Sequence, residues 1–71
     1  MSGNTLDIMV NGFKETVGKT TTIALLVAEH GEGDVHLIVE RNGRFVYPQA
    51  YETTRVEPGD EIELVHPDFG G

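Results

Sequence analysis

Residues 6–17 read LDIMVNGFKETV. Leucine, isoleucine and valine occupy every second position up to Val10, which is the period of a β-strand with one buried face. Asn11-Gly12 supplies a two-residue turn, because both residue types tolerate positive φ. The alternation resumes after the turn. The stretch therefore predicts a β-hairpin.

The period changes after Gly18. The residues that recur at the three- and four-residue spacing of a helix are then Ile23, Leu26, Val27 and His30. The threonine cluster at 20–22 can provide the N-cap of this helix. Gly31 stands where the helix should end, and we expect it to adopt a left-handed cap conformation.

A second hairpin signal follows the helix. Apolar residues alternate from Val35 through Leu37 to Val39, ahead of a turn at Asn42-Gly43. The return strand is expected over 44–47, because Pro48 cannot donate to a strand ladder.

A last strand is predicted near the carboxyl end. The residues 57–60 read EPGD, with Pro at the second and Gly at the third position of a turn. Ile62 and Leu64 then alternate with Glu61 and Glu63. The element order is therefore ββαββ, a turn, and β.

This order predicts an α+β domain with the β-grasp, ubiquitin-like arrangement, in which one main helix packs on one face of a mixed sheet. A chain of 71 residues has room for one domain. We expect the folded domain to cover residues 1–67 and a flexible, reactive tail to cover 68–71.

The charge balance limits the partners. With 12 acidic and 5 basic residues, the net charge is −7, which repels nucleic acid and anionic membrane surfaces. A partner with a basic docking surface is the better expectation. The amino-terminal residues lack the features of a signal peptide, and no apolar run has membrane-spanning length, so the expected location is the cytoplasm.

The sequence offers few side chains that could act as nucleophiles or metal ligands. The chain has no cysteine, which rules out a disulfide framework, a thiolate metal site and a cysteine nucleophile. The three histidines, at 30, 36 and 66, are too dispersed to predict a metal site. No serine or cysteine nucleophile with a nearby base can be proposed.

The final Gly70-Gly71 is the feature that points to chemistry. Glycine has no Cβ, so such a tail can lie extended in a narrow channel where a side chain would clash. The carboxylate of Gly71 is ionised at neutral pH and is a poor electrophile. It must be activated before it can react.

Three stretches together resemble the ThiS/MoaD family of sulfur carrier proteins: 39–46, 58–64 and the final 70–71. The likeness covers nearly the whole chain and is nearer to the thiamine-biosynthesis branch. One departure is that Tyr47 separates Val46 from Pro48, where many members of that branch have Val-Pro followed by Arg.

The resemblance implies a carrier that is the substrate of a partner enzyme and is not itself an enzyme, which fits the absence of a catalytic set in this sequence. An E1-like adenylyltransferase of the ThiF or MoeB type would join the Gly71 carboxylate to AMP from ATP. A persulfide from a cysteine desulfurase or rhodanese-type donor would then displace AMP and leave a thiocarboxylate. A sulfur-accepting enzyme such as thiazole synthase would consume it, and this chain would bind no cofactor of its own.

Docking is expected from the sheet face that the helix leaves open. The alternation places Ile38, Val65 and Met9 on that face, with Phe69 just before the glycines. We expect these residues to form an apolar patch bordered by Glu61 and Glu63. Asp68 flanks the base of the tail, together with His66.

Other functions are compatible with the same features. The small subunit of molybdopterin synthase and a ubiquitin-like modifier share the Gly-Gly tail, although the molybdopterin carrier is usually longer and has a small apolar residue where this chain has Phe69. A modifier would form conjugates on lysine. An interaction module with an inert tail is the alternative of a different class, and removal of Gly70 and Gly71 would leave its function intact.

Overall fold

The computed structural model describes residues 3–67. Within that range the chain forms five strands, one α-helix and one 3-10 turn. In chain order these elements are β1 (Thr5–Val10), β2 (Phe13–Gly18), α1 (Ile23–His30), β3 (Ile38–Arg41), β4 (Arg44–Val46), the 3-10 turn (Pro48–Ala50) and β5 (Glu61–Val65).

The described strands form one mixed sheet in the order β2-β1-β5-β3-β4. β1 and β5 are parallel neighbours, with Met9 opposite Glu61, and the other adjacent strands are antiparallel. The predicted element order and the α+β, β-grasp arrangement are confirmed. The last strand in sequence is therefore the central strand of the sheet.

The core lies between α1 and one face of the sheet. Its residues are those that the period-2 and helical patterns place inward, together with one residue from the loop before β5. They are Ile8, Val10, Ile23, Leu26, Val39, Val56, Ile62 and Leu64. We call the sheet face that carries none of them the outer face.

The start of α1 agrees with the sequence. Thr22 is the N-cap, in extended conformation, and its hydroxyl accepts a hydrogen bond of 3.2 Å from the Leu25 N–H. The backbone N–H of Ile23, in the first turn of α1, has no acceptor within the helix. It donates instead to the Thr54 carbonyl, in the loop before β5, at 2.9 Å.

The end of α1 differs from the prediction. Gly31 is right-handed, with φ −81°, and the left-handed residues are Glu32 and Gly33. Glycine is needed at 31 for space: a Cβ there would lie 2.5 Å from the Val27 carbonyl oxygen and 3.2 Å from Leu37 Cδ2. The prediction of a left-handed cap at Gly31 was wrong because close packing, and not φ, selects the glycine.

β3 is also shorter than predicted. It begins at Ile38, and Val35 is 89% exposed in the preceding loop. Asp34 organises that loop, because its carboxylate accepts from the His36 N–H at 2.8 Å and its carbonyl accepts from the Leu37 N–H at 3.2 Å. These local bonds bend the backbone where the apolar alternation predicts strand. β4 ends one residue before the predicted boundary, at Val46.

Both Asn-Gly turns are left-handed at both residues, as predicted, with φ of 51° to 85°. Their asparagine side chains also hold the central strand. Asn11 Oδ1 accepts from the Leu64 N–H at 2.8 Å, and Asn42 Oδ1 accepts from the Glu61 N–H at 2.8 Å. The hairpin turns thus satisfy donors of β5 beyond the ladders.

Candidate functional site: the outer sheet face and the base of the tail

The central strand leads directly to the residues for which the sequence predicts chemistry. β5 ends at Val65, and the structure describes the chain as far as Pro67. The predicted tail residues lie outside the described residues: Asp68, Phe69, Gly70 and Gly71. The structure therefore places the outer face and the two residues between β5 and the predicted tail, His66 and Pro67. We call these two residues the base of the tail.

Ile38 and Val65 lie directly opposite each other in the β3–β5 ladder. Directly paired residues share a sheet face, and both side chains remain partly open to solvent, at 36% and 43% exposed. The structure thus brings together two of the predicted docking residues at the end of the sheet from which the tail leaves.

Met9 is placed apart from this pair. The parallel β1–β5 register sets Met9 opposite Glu61, four residues before Val65 on the same strand. At about 3.3 Å per residue, this separates Met9 from the Ile38–Val65 pair by about 13 Å. Glu61 and Glu63 occupy the outer face between them, and both are exposed.

The outer face carries an uncompensated pair of acids. Glu40 and Glu63 are direct partners in the β3–β5 ladder, next to Ile38 and Val65. Like charges directly opposite each other destabilise a sheet. Among residues 3–67, neither carboxylate has a hydrogen bond or an ion pair. A basic surface on a partner would relieve this repulsion.

Two aromatic residues extend the apolar surface, and sequence reasoning missed both. Phe45 lies opposite Glu40 and is therefore on the outer face, 48% exposed. Its ring contacts Tyr47 edge to face, with centroids 4.6 Å apart. The sequence does contain a signal for Phe45. Residues at equal distances from a two-residue hairpin turn pair with each other and share a sheet face, and Glu40 and Phe45 are at equal distances from Asn42-Gly43.

Asp60 fixes the start of β5. It is 6% exposed, and its carboxylate accepts from Arg41 Nε at 2.8 Å, from Asn42 Nδ2 at 3.0 Å and from the Glu57 N–H at 2.8 Å. Burial by itself would raise the pKa of Asp60. The hydrogen bonds from Asn42, Glu57 and Arg41, with the Arg41 charge, outweigh burial and hold the pKa of this carboxyl below its ordinary value.

His66 holds the base of the tail. Its Nδ1 lies 2.9 Å from Asp34 Oδ2, in the loop between α1 and β3. The backbone N–H of His36, and then the His66 ring, hold the pKa of Asp34 below its ordinary value. The position of His66 at the base of the tail follows from the sequence, but its pairing with Asp34 does not, because the two residues are 32 positions apart and no local pattern links them.

Other features lie away from the tail base. Among the described residues, one group could supply three metal ligands, Glu15, Glu29 and His30, whose atoms lie within 4.8 Å of one another. His30 Nε2 already pairs with Glu15, at 3.1 Å.

A cavity of about 460 Å³ borders the edge strand β4, and it is lined by Arg41, Asn42, Arg44, Phe45, Val46, Tyr47, Ala50 and Thr54.

Within residues 3–67, no helix combines the length and the apolar character needed to cross a membrane.

Comparison with known proteins gives a family match and two similar solved structures. The model of the ThiS family matches residues 5–71. The comparison with curated proteins gave no match.

Two solved structures are similar to the chain. One is the crystal structure of a thiamine biosynthesis protein, ThiS, from Geobacter metallireducens, with TM-score 0.76 and 26% identity over 93% of this chain and 100% of that chain. The other is the NMR solution structure of a thiamine biosynthesis protein from the same organism, with TM-score 0.73 and 28% identity over 93% of this chain and 88% of that chain.

Proposed function

Because the chain belongs to the ThiS family, we propose that it carries sulfur for thiamine biosynthesis on its carboxyl-terminal glycine. The family match runs to the last residue and so includes Gly70-Gly71. The observation that carries the proposal is this match, combined with a central strand, β5, that runs toward those glycines and ends at an exposed apolar pair, Ile38 and Val65.

The proposed chemistry takes place at Gly71. Its carboxylate oxygen attacks the α-phosphorus of ATP in an E1-like partner, and pyrophosphate leaves. The sulfur of a persulfide then attacks the acyl carbon, and AMP leaves with the former carboxylate oxygen. A thiol cuts the remaining sulfur–sulfur bond to the donor, which frees the thiocarboxylate for the sulfur-accepting synthase.

In this account the folded domain supplies recognition. The Ile38–Val65 pair and Phe45 offer an apolar contact, and the Glu40–Glu63 pair offers negative charge without a partner among residues 3–67. A complementary surface is apolar at its centre and basic at its edge. ATP and the groups that activate it belong to the partner.

The proposal is tested by ATP-dependent release of pyrophosphate with an E1-like adenylyltransferase from the same host. Wild-type protein should support release, while Gly71→Ala and a one-residue extension should not, because both change the residue that enters the channel. The matched control is Gly3→Ala, at an exposed glycine with no atom within 4 Å of an added Cβ. Normal release with Gly71→Ala would overturn the proposed chemistry.

A further inference from the structure

The structure describes two residues after β5, His66 and Pro67. The β3–β5 ladder ends at the Ile38–Val65 pair, so the backbone after Val65 has no further ladder partner among the described residues. His66 and Pro67 follow. Proline fixes its own φ near −65° and keeps the preceding residue extended. The backbone at 66–67 therefore continues roughly along the line of β5.

The side chain of His66 adds a second point of attachment. A carboxylate only accepts hydrogen bonds, so the ring nitrogen that faces Asp34 Oδ2, Nδ1, carries the proton. The contact joins the end of β5 to the loop between α1 and β3. Both side chains are only partly exposed, 40% for His66 and 26% for Asp34.

Asp34 is itself held in place. Its other carboxylate oxygen accepts from the His36 N–H, and its own N–H bonds to the Gly31 carbonyl at 3.0 Å. Gly31 is buried at the end of α1, packed against Leu37. The acceptor for His66 is therefore fixed to the core and is not on a free loop.

We propose that Asp34 and His66 are positioning residues that fix the origin and direction of the tail for its entry into the activating partner. The inference rests on the proposed function. With the contact in place, the last residue held by the domain is Pro67, and four residues separate it from the end of the sequence. Without the contact, the last residue held is Val65, and six residues separate it from that end. A fully extended chain of four residues spans at most about 14 Å, and one of six residues about 21 Å.

A longer tether lowers the local concentration of its end. For a tether longer than the distance it must span, effective concentration falls roughly as the −3/2 power of length, so a tether of six residues in place of four gives an effective concentration about twofold lower. Loss of the preferred direction adds to this reduction. We expect kcat/KM for adenylation to fall about two- to threefold, while the affinity of docking through the outer face stays unchanged.

The test uses His66→Ala, Asp34→Ala and the double variant. If the two residues act through each other, the double variant is no slower than either single variant. His66→Asn is the conservative rescue, because its Nδ2 occupies the position of His Nδ1 and keeps a donor toward Asp34. Glu52→Ala is the matched control, since it removes an exposed carboxylate that has no hydrogen bond or ion pair within residues 3–67.

Backbone 15N relaxation provides a readout that does not depend on adenylation. The order parameter of the His66 amide should be about 0.85 in the wild type and in His66→Asn, and below about 0.6 in His66→Ala and Asp34→Ala. Docking affinity is measured by calorimetry on the same variants carrying Gly71→Ala, so that no chemistry follows binding.

Each contrary result has a distinct meaning. An unchanged order parameter in Asp34→Ala would show that the contact does not hold the tail base. A lowered order parameter with normal adenylation kinetics would overturn the positioning role alone. Slow adenylation in His66→Ala but not in Asp34→Ala would assign His66 to direct contact with the partner. If no partner adenylates the wild type, the proposed function fails and this proposal fails with it, whatever the relaxation data show.

Discussion

Arg41 Nε donates a hydrogen bond of 2.8 Å to Asp60 Oδ2, and this ion pair joins the second hairpin to the turn that starts the central strand. The Asp60 side chain is 7% exposed and that of Arg41 27%. The pair therefore lies largely out of water. This pair ties the second hairpin to the start of the central strand.

Asp60→Ala should lower the free energy of unfolding by about 2–3 kcal/mol, because it leaves the guanidinium of Arg41 and two other donors without their acceptor. Urea unfolding followed by circular dichroism measures this change. Glu52→Ala, an exposed acid outside the network, should change it by less than about 0.5 kcal/mol. Equal effects for the two variants would show that the Asp60 network does not stabilise the domain.

The same residue predicts a pH dependence. The pKa of Asp60 is lower in the folded protein than its ordinary value of 3.8, so the unfolded chain binds more protons between the two values. Its contribution is fully present above about pH 4 and is lost as pH falls through the folded pKa. The stability difference between wild type and Asp60→Asn should therefore shrink as pH falls from 7 to below 4. A difference independent of pH would contradict the lowered pKa.

Val65→Asp should weaken binding to the activating partner and leave the fold intact. It places a charge in the middle of the proposed apolar contact, beside Ile38, and loss of a hot-spot contact costs about 2 kcal/mol or more, roughly thirtyfold in affinity. Calorimetry with the partner measures the loss. Val35→Asp is the control, because Val35 is 89% exposed and lies outside the sheet. Equal losses would mean that net charge, and not this surface, controls binding.

Glu63→Lys should affect stability and binding in opposite directions. A lysine opposite Glu40 replaces repulsion with attraction and should stabilise the domain by a few tenths of a kcal/mol. The same change should weaken binding to a basic partner surface, and the loss should shrink at high salt. Glu52→Lys makes the same charge change away from the outer face. A variant that is more stable and also binds more tightly would refute the proposed charge complementarity.

The sequence predicted the elements whose signals are local. The two Asn-Gly turns, the Thr22 cap and the alternation in β1 and β5 each depend on residues within a few positions of one another. The fold class follows from their order. The boundary of β3 could not be predicted in this way, because the Asp34–His36 bond competes with strand pairing over a stretch whose apolar residues alternate.

The outer face was predicted less completely because it depends on register. Alternation assigns Met9 and Val65 to the same face, but only the offset between parallel strands shows that they lie far apart on it. The Asp34–His66 contact joins polar residues 32 positions apart, and no periodicity indicates such a pair.

The most direct measurement is the intact mass of the protein after incubation with an E1-like adenylyltransferase, ATP and a persulfide donor. We expect a mass gain equal to the exchange of one oxygen atom for sulfur, located in the carboxyl-terminal peptide and absent from Gly71→Ala. An unchanged mass, with a folded domain and an adenylyltransferase that is active on its own carrier, would contradict the assignment of this chain as a sulfur carrier.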